Sequence, residues 1–292
     1  MAVLATPDIR TVDIPAGQVR ARDTGGDGPP VLLLHSLLLD PDLYATVVPL
    51  LAARGYRCVV PELPLGGHLL PLREDADLTP PGLAKLLVDV LDALDLRQVD
   101  VVGVDTGGAL AQLLMADHRD RVGRVVLTAC DAYEHFPPTT PVGRLFTPLF
   151  LRPVLSLASV LLRLRLVRRL LTIRPITRRG VDDATLQRWT RPLRDERVRQ
   201  NVRAAFHAMH PRYTLAAAET NRDFPRPVLI AWGDDDRLFP RQLAKRLQTD
   251  LPDARLVTLS NCAAFAAIDQ PQELSGLIDG HLSQNINTPS RA

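Results

Sequence analysis

Residues 99–108 read Val-Asp-Val-Val-Gly-Val-Asp-Thr-Gly-Gly, and this run constrains the fold more than any other part of the chain. An apolar strand leads straight into Asp105, which stands among glycines, and then into a helical stretch. Small residues at 103, 107 and 108 leave room for a tight strand-to-helix turn and let the helix lie close to the sheet. The turn presents Asp105 at its tip, where the N-terminus of the following helix favours an anion.

The same alternation of strand and helix runs through much of the chain. Residues 12–14 and 18–22 read as two antiparallel strands around Pro15-Ala16-Gly17. Continuous apolar runs at 31–34, 56–60, 99–104, 122–128, 227–232 and 255–259 read as strands, most of them buried on both faces of a parallel sheet. Helical patterns at 43–53, 81–94, 109–117, 240–251 and 271–279 fall between or after them. The expected architecture is therefore α/β, a mostly parallel sheet with helices on both faces. From about Asp131 to Asp223 the alternation stops. A leucine-rich helix or helix pair at 154–171 and further helices at 182–189 and 195–209, capped by Asp182 and Asp195, form a helical insertion. The expected division is a core of residues 1–130 and 224–280, a helical cap of 131–223, and a polar tail of 281–292.

Composition narrows the function classes. A chain of 292 residues with 46% hydrophobic content can bury a large core, and a net charge of +2 gives no electrostatic footprint for nucleic acid. Seventeen arginines against five acids lie within 144–222, which reads as a solvated face on the cap helices. Cys58, Cys130 and Cys262 are widely spaced, form no metal or redox motif, and fit a reduced, cytoplasmic protein. The N-terminus has no signal-peptide pattern, and arginines break the apolar segment 145–171 before it reaches membrane-spanning length. Neither a cofactor nor a metal is called for. The expected partner is a small apolar organic substrate, with no nucleic acid and no membrane, and a homodimer is compatible with the sequence.

Three further segments end strands in the way expected of a site at one sheet edge. Leu34-His35-Ser36-Leu37 follows the first parallel strand, and the backbone N–H groups of Leu37 and Thr106 are candidate oxyanion donors. Trp232 to Pro240 carries Asp234, Asp235 and Asp236, one of which could orient a base. Ala263-Ala264-Phe265 lies after the last strand, where a base is expected.

On these residues the chain resembles the α/β-hydrolase superfamily, particularly its aspartate-nucleophile branch of haloalkane dehalogenases and epoxide hydrolases. His35-Ser36 falls on the family's His-Gly, and Asp105 falls on the nucleophile. Asp236 falls on the acid of Trp-Gly-x-x-Asp-x-x-x-Pro, and Asp131 lies near an alternative acid position. The resemblance implies that Asp105 attacks carbon and that a histidine activates the water that cleaves the resulting ester. Ala264 occupies that histidine's position. Thr106 and Leu37 stand where dehalogenases carry halide-binding side chains, which disfavours dehalogenation.

The missing histidine leaves three readings. In the first, Asp105 serves an epoxide hydrolase with a degenerate or relocated base. His35, His68, His207 and His210 are the candidate bases, and Tyr133, Tyr213 or Trp189 would protonate or shape the substrate. In the second, Asp105 transfers protons in an isomerase, epimerase, lyase or cyclase of secondary metabolism. In the third, the scaffold binds without catalysis.

Overall fold

The computed structural model describes residues 7–141, 144, 151–170 and 176–284. Eight strands form one sheet in the order β1-β2-β4-β3-β5-β6-β7-β8. The antiparallel hairpin β1 (Asp8–Ile14) and β2 (Gly17–Asp23) joins the sheet through an antiparallel β2–β4 pairing. All other pairings are parallel, through β3 (Pro30–Leu34), β4 (Arg57–Pro61), β5 (Val99–Asp105), β6 (Val122–Cys130), β7 (Val228–Gly233) and β8 (Ala254–Leu259).

The continuous apolar runs follow from burial on both faces. In β3, Leu32 and Leu34 join one buried cluster while Val31 and Leu33 join another. In β5, Val99 and Val101 face the first cluster while Val102 and Val104 face the second. Strand side chains alternate between faces, so a sheet covered on both sides needs apolar residues at every position. The first face is covered by α2 (Pro80–Ala93), α3 (Thr106–Asp117) and α9 (Arg241–Asp250). The second is covered by α1 (Val47–Ala52) and α11 (Pro271–Leu282).

Two local details differ from the sequence reading. The single helix expected over 43–53 is a short 3-10 turn (Pro41–Tyr44) followed by α1, because Asp40 caps that turn by accepting from the Asp42 N–H at 2.7 Å. Helix α3 begins at Thr106, immediately after the strand, rather than at 109. Gly107 and Gly108 permit this: a Cβ on Gly107 would lie 2.3 Å from Leu34 O, and one on Gly108 would lie 2.3 Å from Cys130 Cβ.

Between β6 and β7 the chain forms an inserted helical cap. Helices α4 (Arg152–Leu161) and α5 (Arg165–Leu170) are the expected pair, with residue 171 outside the described residues. They are followed by α6 (Asp183–Thr190), α7 (Glu196–Ala208) and α8 (Pro211–Thr220). Asp182 caps α6 through the Thr185 N–H, and Asp195 caps α7 through the Arg197 N–H. Helix α8 was not legible, since its start is marked only by His210 and Pro211.

Buried polar ties fasten the cap to the core. Asp269, at the end of the short helix α10 (Ala266–Asp269), accepts from the backbone N–H groups of Arg178, Arg179 and Ala263 at 2.8, 3.0 and 2.9 Å. Asn201 on α7 accepts from the Leu72 N–H at 2.9 Å. No helix among the described residues is long and apolar enough to cross a membrane.

Candidate active site

The carboxyl ends of β3, β5, β6, β7 and β8 bring residues 35–37, Asp105, Asp131, Asp236 and Ala264 to one edge of the sheet. Asp105 ends β5 with φ +53° and ψ −128°, a conformation that side-chain-bearing residues rarely adopt and that costs about 1–3 kcal/mol. It is only 8% exposed. Its Oδ1 accepts from the Thr106 N–H at 2.5 Å and from the Thr106 hydroxyl at 3.0 Å. The Ser36 hydroxyl lies 3.2 Å from Leu37 O and also bears on the Asp105 carboxyl. Burial raises the Asp105 carboxyl above its ordinary value, while the Ser36 and Thr106 hydrogen bonds pull the other way.

Asp131, the first residue beyond β6, is fully buried beside it. Its N–H donates to Asp105 O at 3.3 Å, and its Oδ2 lies 3.3 Å from Thr106 Oγ1. Burial, and then the Asp105 charge, hold Asp131 well above the usual carboxylate range. A hydroxyl carries one proton, so Thr106 can donate to only one of its two carboxyl neighbours. Its hydroxyl therefore links the two carboxyls through a single side chain, 3.0 Å from Asp105 Oδ1 and 3.3 Å from Asp131 Oδ2. Among the described residues, Asp131 Oδ1 has no hydrogen-bond partner.

Asp236 follows β7 in the loop to α9. Its Oδ1 accepts from the N–H groups of Leu238 and Phe239 at 2.8 and 3.0 Å, while its buried Oδ2 has no partner among the described residues. Burial pushes it up to about 7 against those two hydrogen bonds, and the charges of Asp105 and Asp235 add to the rise. The loop lies against residues 262–264: the Asp235 N–H donates to Cys262 O at 3.0 Å, and the Cys262 N–H donates to Asp234 Oδ1 at 3.2 Å. Ala264 is 0% exposed and belongs to the same apolar cluster as Ala132, Trp232 and Phe239.

The other named candidates are engaged elsewhere. His35 is buried with both ring nitrogens occupied: Nδ1–H donates to Ser36 O at 2.9 Å, and Nε2 accepts from the Leu63 N–H at 3.0 Å. Burial lowers it to about 4, so it is a neutral brace between loops rather than a base. His68 is held by the Gly66 N–H and by Asn201 Oδ1, and burial likewise lowers it to about 4. His207 is exposed on α7, and His210 is exposed and caps α8 by accepting from the Arg212 N–H. The Tyr133 hydroxyl donates to Asp250 at 2.9 Å beneath the Arg246 guanidinium, and the Tyr213 hydroxyl accepts from Arg212 at 2.6 Å. Trp189 is a buried anchor whose indole N–H donates to Asp40 at 2.8 Å.

Two supporting residues carry little signal in the sequence. Ser36 stands at the glycine of the family's His-Gly, and its hydroxyl faces Asp105. Gln112, six residues beyond Thr106 on α3, donates to Asp131 O at 2.8 Å and to Gly108 O at 3.0 Å, locking the exit of β6 against the helix. Its only signal was a polar residue in an otherwise apolar helix. Among the described residues, no group of three or more His, Cys, Asp or Glu side chains is arranged to hold a metal ion.

The strand-to-helix turn, the sheet order and the cap agree with the match of residues 29–271 to the alpha/beta hydrolase fold family, to which the chain belongs. Within it, the chain is 27% identical over 290 residues to the 2-hydroxymuconate semialdehyde hydrolase of Pseudomonas putida, covering 96% of each. It is 28% identical over 295 residues to haloalkane dehalogenase 2 of Mycobacterium bovis, covering 95% of this chain and 98% of that one. The crystal structure of haloalkane dehalogenase DbeA from Bradyrhizobium elkani shares the fold with a TM-score of 0.77 at 18% identity, covering 94% and 98% of the two chains.

Proposed function

We propose that this protein is an enzyme in which Asp105 transfers a proton to or from a small-to-medium organic substrate, as in an isomerisation, epimerisation, elimination or cyclisation. The observation that carries the reading is the Thr106 hydroxyl set between Asp105 and Asp131 at 3.0 and 3.3 Å. A proton shared within a buried chain is available to Asp105 and is returned to it without bulk water. The engagements of His35, His68, His210, Tyr133 and Tyr213 elsewhere and the exposure of His207 speak against a relocated base, and Ala264 cannot activate water. Both tryptophans are committed, Trp189 to Asp40 and Trp232 to Phe239 O, so neither indole N–H supports halide binding.

A second reading, covalent opening of an epoxide, draws on one specific contact. In an ester formed on Asp105, the oxyanion of its cleavage would sit on an Asp105 oxygen, and the Thr106 N–H already meets Oδ1 at 2.5 Å. The Leu37 backbone N–H makes no hydrogen bond among the described residues and is the second candidate donor.

Turnover of a substrate panel in oxygen-labelled water separates the readings. Proton transfer predicts unlabelled product, with Asp105→Asn abolishing turnover while leaving substrate binding intact. Label in the product, or an ester mass on the peptide containing Asp105, would replace it with the covalent reading. Activity surviving in Asp105→Ala would reject both.

A further inference from the structure

The apolar side chains left in solvent are gathered on one part of the cap. Seven of the ten large apolar side chains that stand exposed among the described residues lie within 151–166, on or beside α4 and α5. Single exposed leucines are ordinary, but a cluster of this kind marks a contact surface. On α4 the side turned to the protein is Leu155 and Ser159, both buried. Val154, Leu157 and Leu161 recur at intervals of three and four, which sets them together on the opposite side of the helix. Leu157 is 59% exposed, and Leu166 on α5 is 69% exposed. The helix pair thus has an inner side that packs on the cap and an outer apolar side turned to solvent.

The charge on this segment is of one sign. Residues 151–170 hold five arginines and no aspartate, glutamate or lysine. Arg152, Arg163 and Arg165 are exposed. Arg165 lies 3.7 Å from Asp183 at the start of α6, an exposed pair that water and salt weaken. Arginine beside exposed leucine complements a surface that is anionic outside and apolar just beneath, which is the chemistry of a bilayer rich in acidic phospholipid. A second copy of the chain fits worse, because a twofold contact would bring the arginines of one copy up to those of the other. A protein pocket fits worse too. The segment holds no aromatic residue and no methionine, the types that favour protein interfaces, and its apolar residues are chiefly leucine and valine. No described helix is long and apolar enough to cross a membrane, so the contact lies along the interface. We propose that the α4–α5 face of the cap docks reversibly on an anionic lipid surface, its leucines in the acyl boundary and its arginines among the headgroups. The inference rests on the exterior of the cap and is independent of the chemistry assigned to Asp105.

Flotation of the whole chain with vesicles of equal parts phosphatidylglycerol and phosphatidylcholine, set against vesicles of phosphatidylcholine alone, tests it. Partitioning onto the acidic vesicles should be about tenfold stronger or more, as several arginines near such a surface require. Raising the salt from about 0.1 M to about 0.5 M should weaken it about tenfold. Leu157→Gln combined with Leu161→Gln, both at exposed positions and checked by circular dichroism, should weaken partitioning about tenfold or more. Arg152→Glu should weaken binding to the acidic vesicles and leave binding to phosphatidylcholine unchanged. Equal partitioning onto the two vesicles, or partitioning that survives the leucine substitutions, overturns the proposal. A concentration-dependent dimer in sedimentation that the leucine variant dissolves, without vesicle binding, overturns it in favour of a second copy. Binding to soluble polyglutamate without vesicle binding overturns it in favour of an acidic protein.

Discussion

Thr106 is the residue on which the chemistry of the site turns. Its hydroxyl donates to Asp105 and so lowers that carboxyl, although burial keeps it raised overall. In Thr106→Val the donor is lost and Asp105 must rise further. If Asp105 works as a base, the limb of kcat/KM that appears as pH increases should move alkaline by about one unit, while Thr106→Ser keeps it in place. An unmoved limb in the valine variant would remove Thr106 from the proton path. At this scale the sequence was only partly legible. Asp105, Asp131 and Asp236 could be found because each directly follows, or closely follows, a strand, and strand ends share one sheet edge. Tyr133, Tyr213, His207 and His210 could not be assigned, because helix phase and loop path decide which way such side chains face. Tyr133 has φ +52° and turns its ring under Arg246, which no spacing rule foretells.

Among the elements, α10 and the loop before it join cap to core through the Asp269 carboxylate, beside the Phe265 N–H that donates to Ile176 O at 3.2 Å. Asp269 holds three backbone N–H groups from two segments, Arg178 and Arg179 on the cap side and Ala263 on the core side. Asp269→Ala leaves those donors buried without an acceptor and should destabilise the protein by about 3 kcal/mol in urea unfolding. Amide exchange should quicken at 176–180 and at 263 before it does in β5. Uniform exchange across both regions would show that the tie is not local. The strands were readable because burial on both faces demands unbroken apolar runs. The cap was harder, since its helices bury one side or less: Leu155 on α4 is buried, while Leu157 and Val160 stand exposed. Exposed leucines carry the same pattern as buried ones, so helical spacing there located the pair without revealing which side is covered.

Over the whole molecule, two sets of buried groups oppose each other in their response to pH. His35, His68 and His281 are each lowered by burial to about 4, so their contribution to stability is present above about 6.5 and is lost as pH falls through about 4. Asp40 and Asp236 are raised by burial to about 6 and about 7. Asp105 and Asp131 are raised as well. The stability these carboxyls contribute is full below about 4 and is lost as pH rises through their folded values. Between about pH 4 and 6.5 the unfolded chain gains protons on the histidines and loses them on the carboxyls, so the two slopes offset each other. Urea unfolding should therefore give a nearly flat stability profile across that window, and a steep slope of either sign would count against the opposition. Below it, stability should fall as Asp23, which its bonds to Arg57 and the Gly25 N–H lower despite burial, takes up its proton.

The backbone of Asp105 has an evolutionary consequence. At φ +53° and ψ −128° only glycine is at ease. Asp105→Gly should unfold at a higher denaturant concentration than the parent, by about 1 kcal/mol of stability, while losing every Asp105-dependent reaction. Selection for yield or heat resistance alone would then drift toward glycine at this position. An aspartate retained there against that pull marks selection for something other than folding.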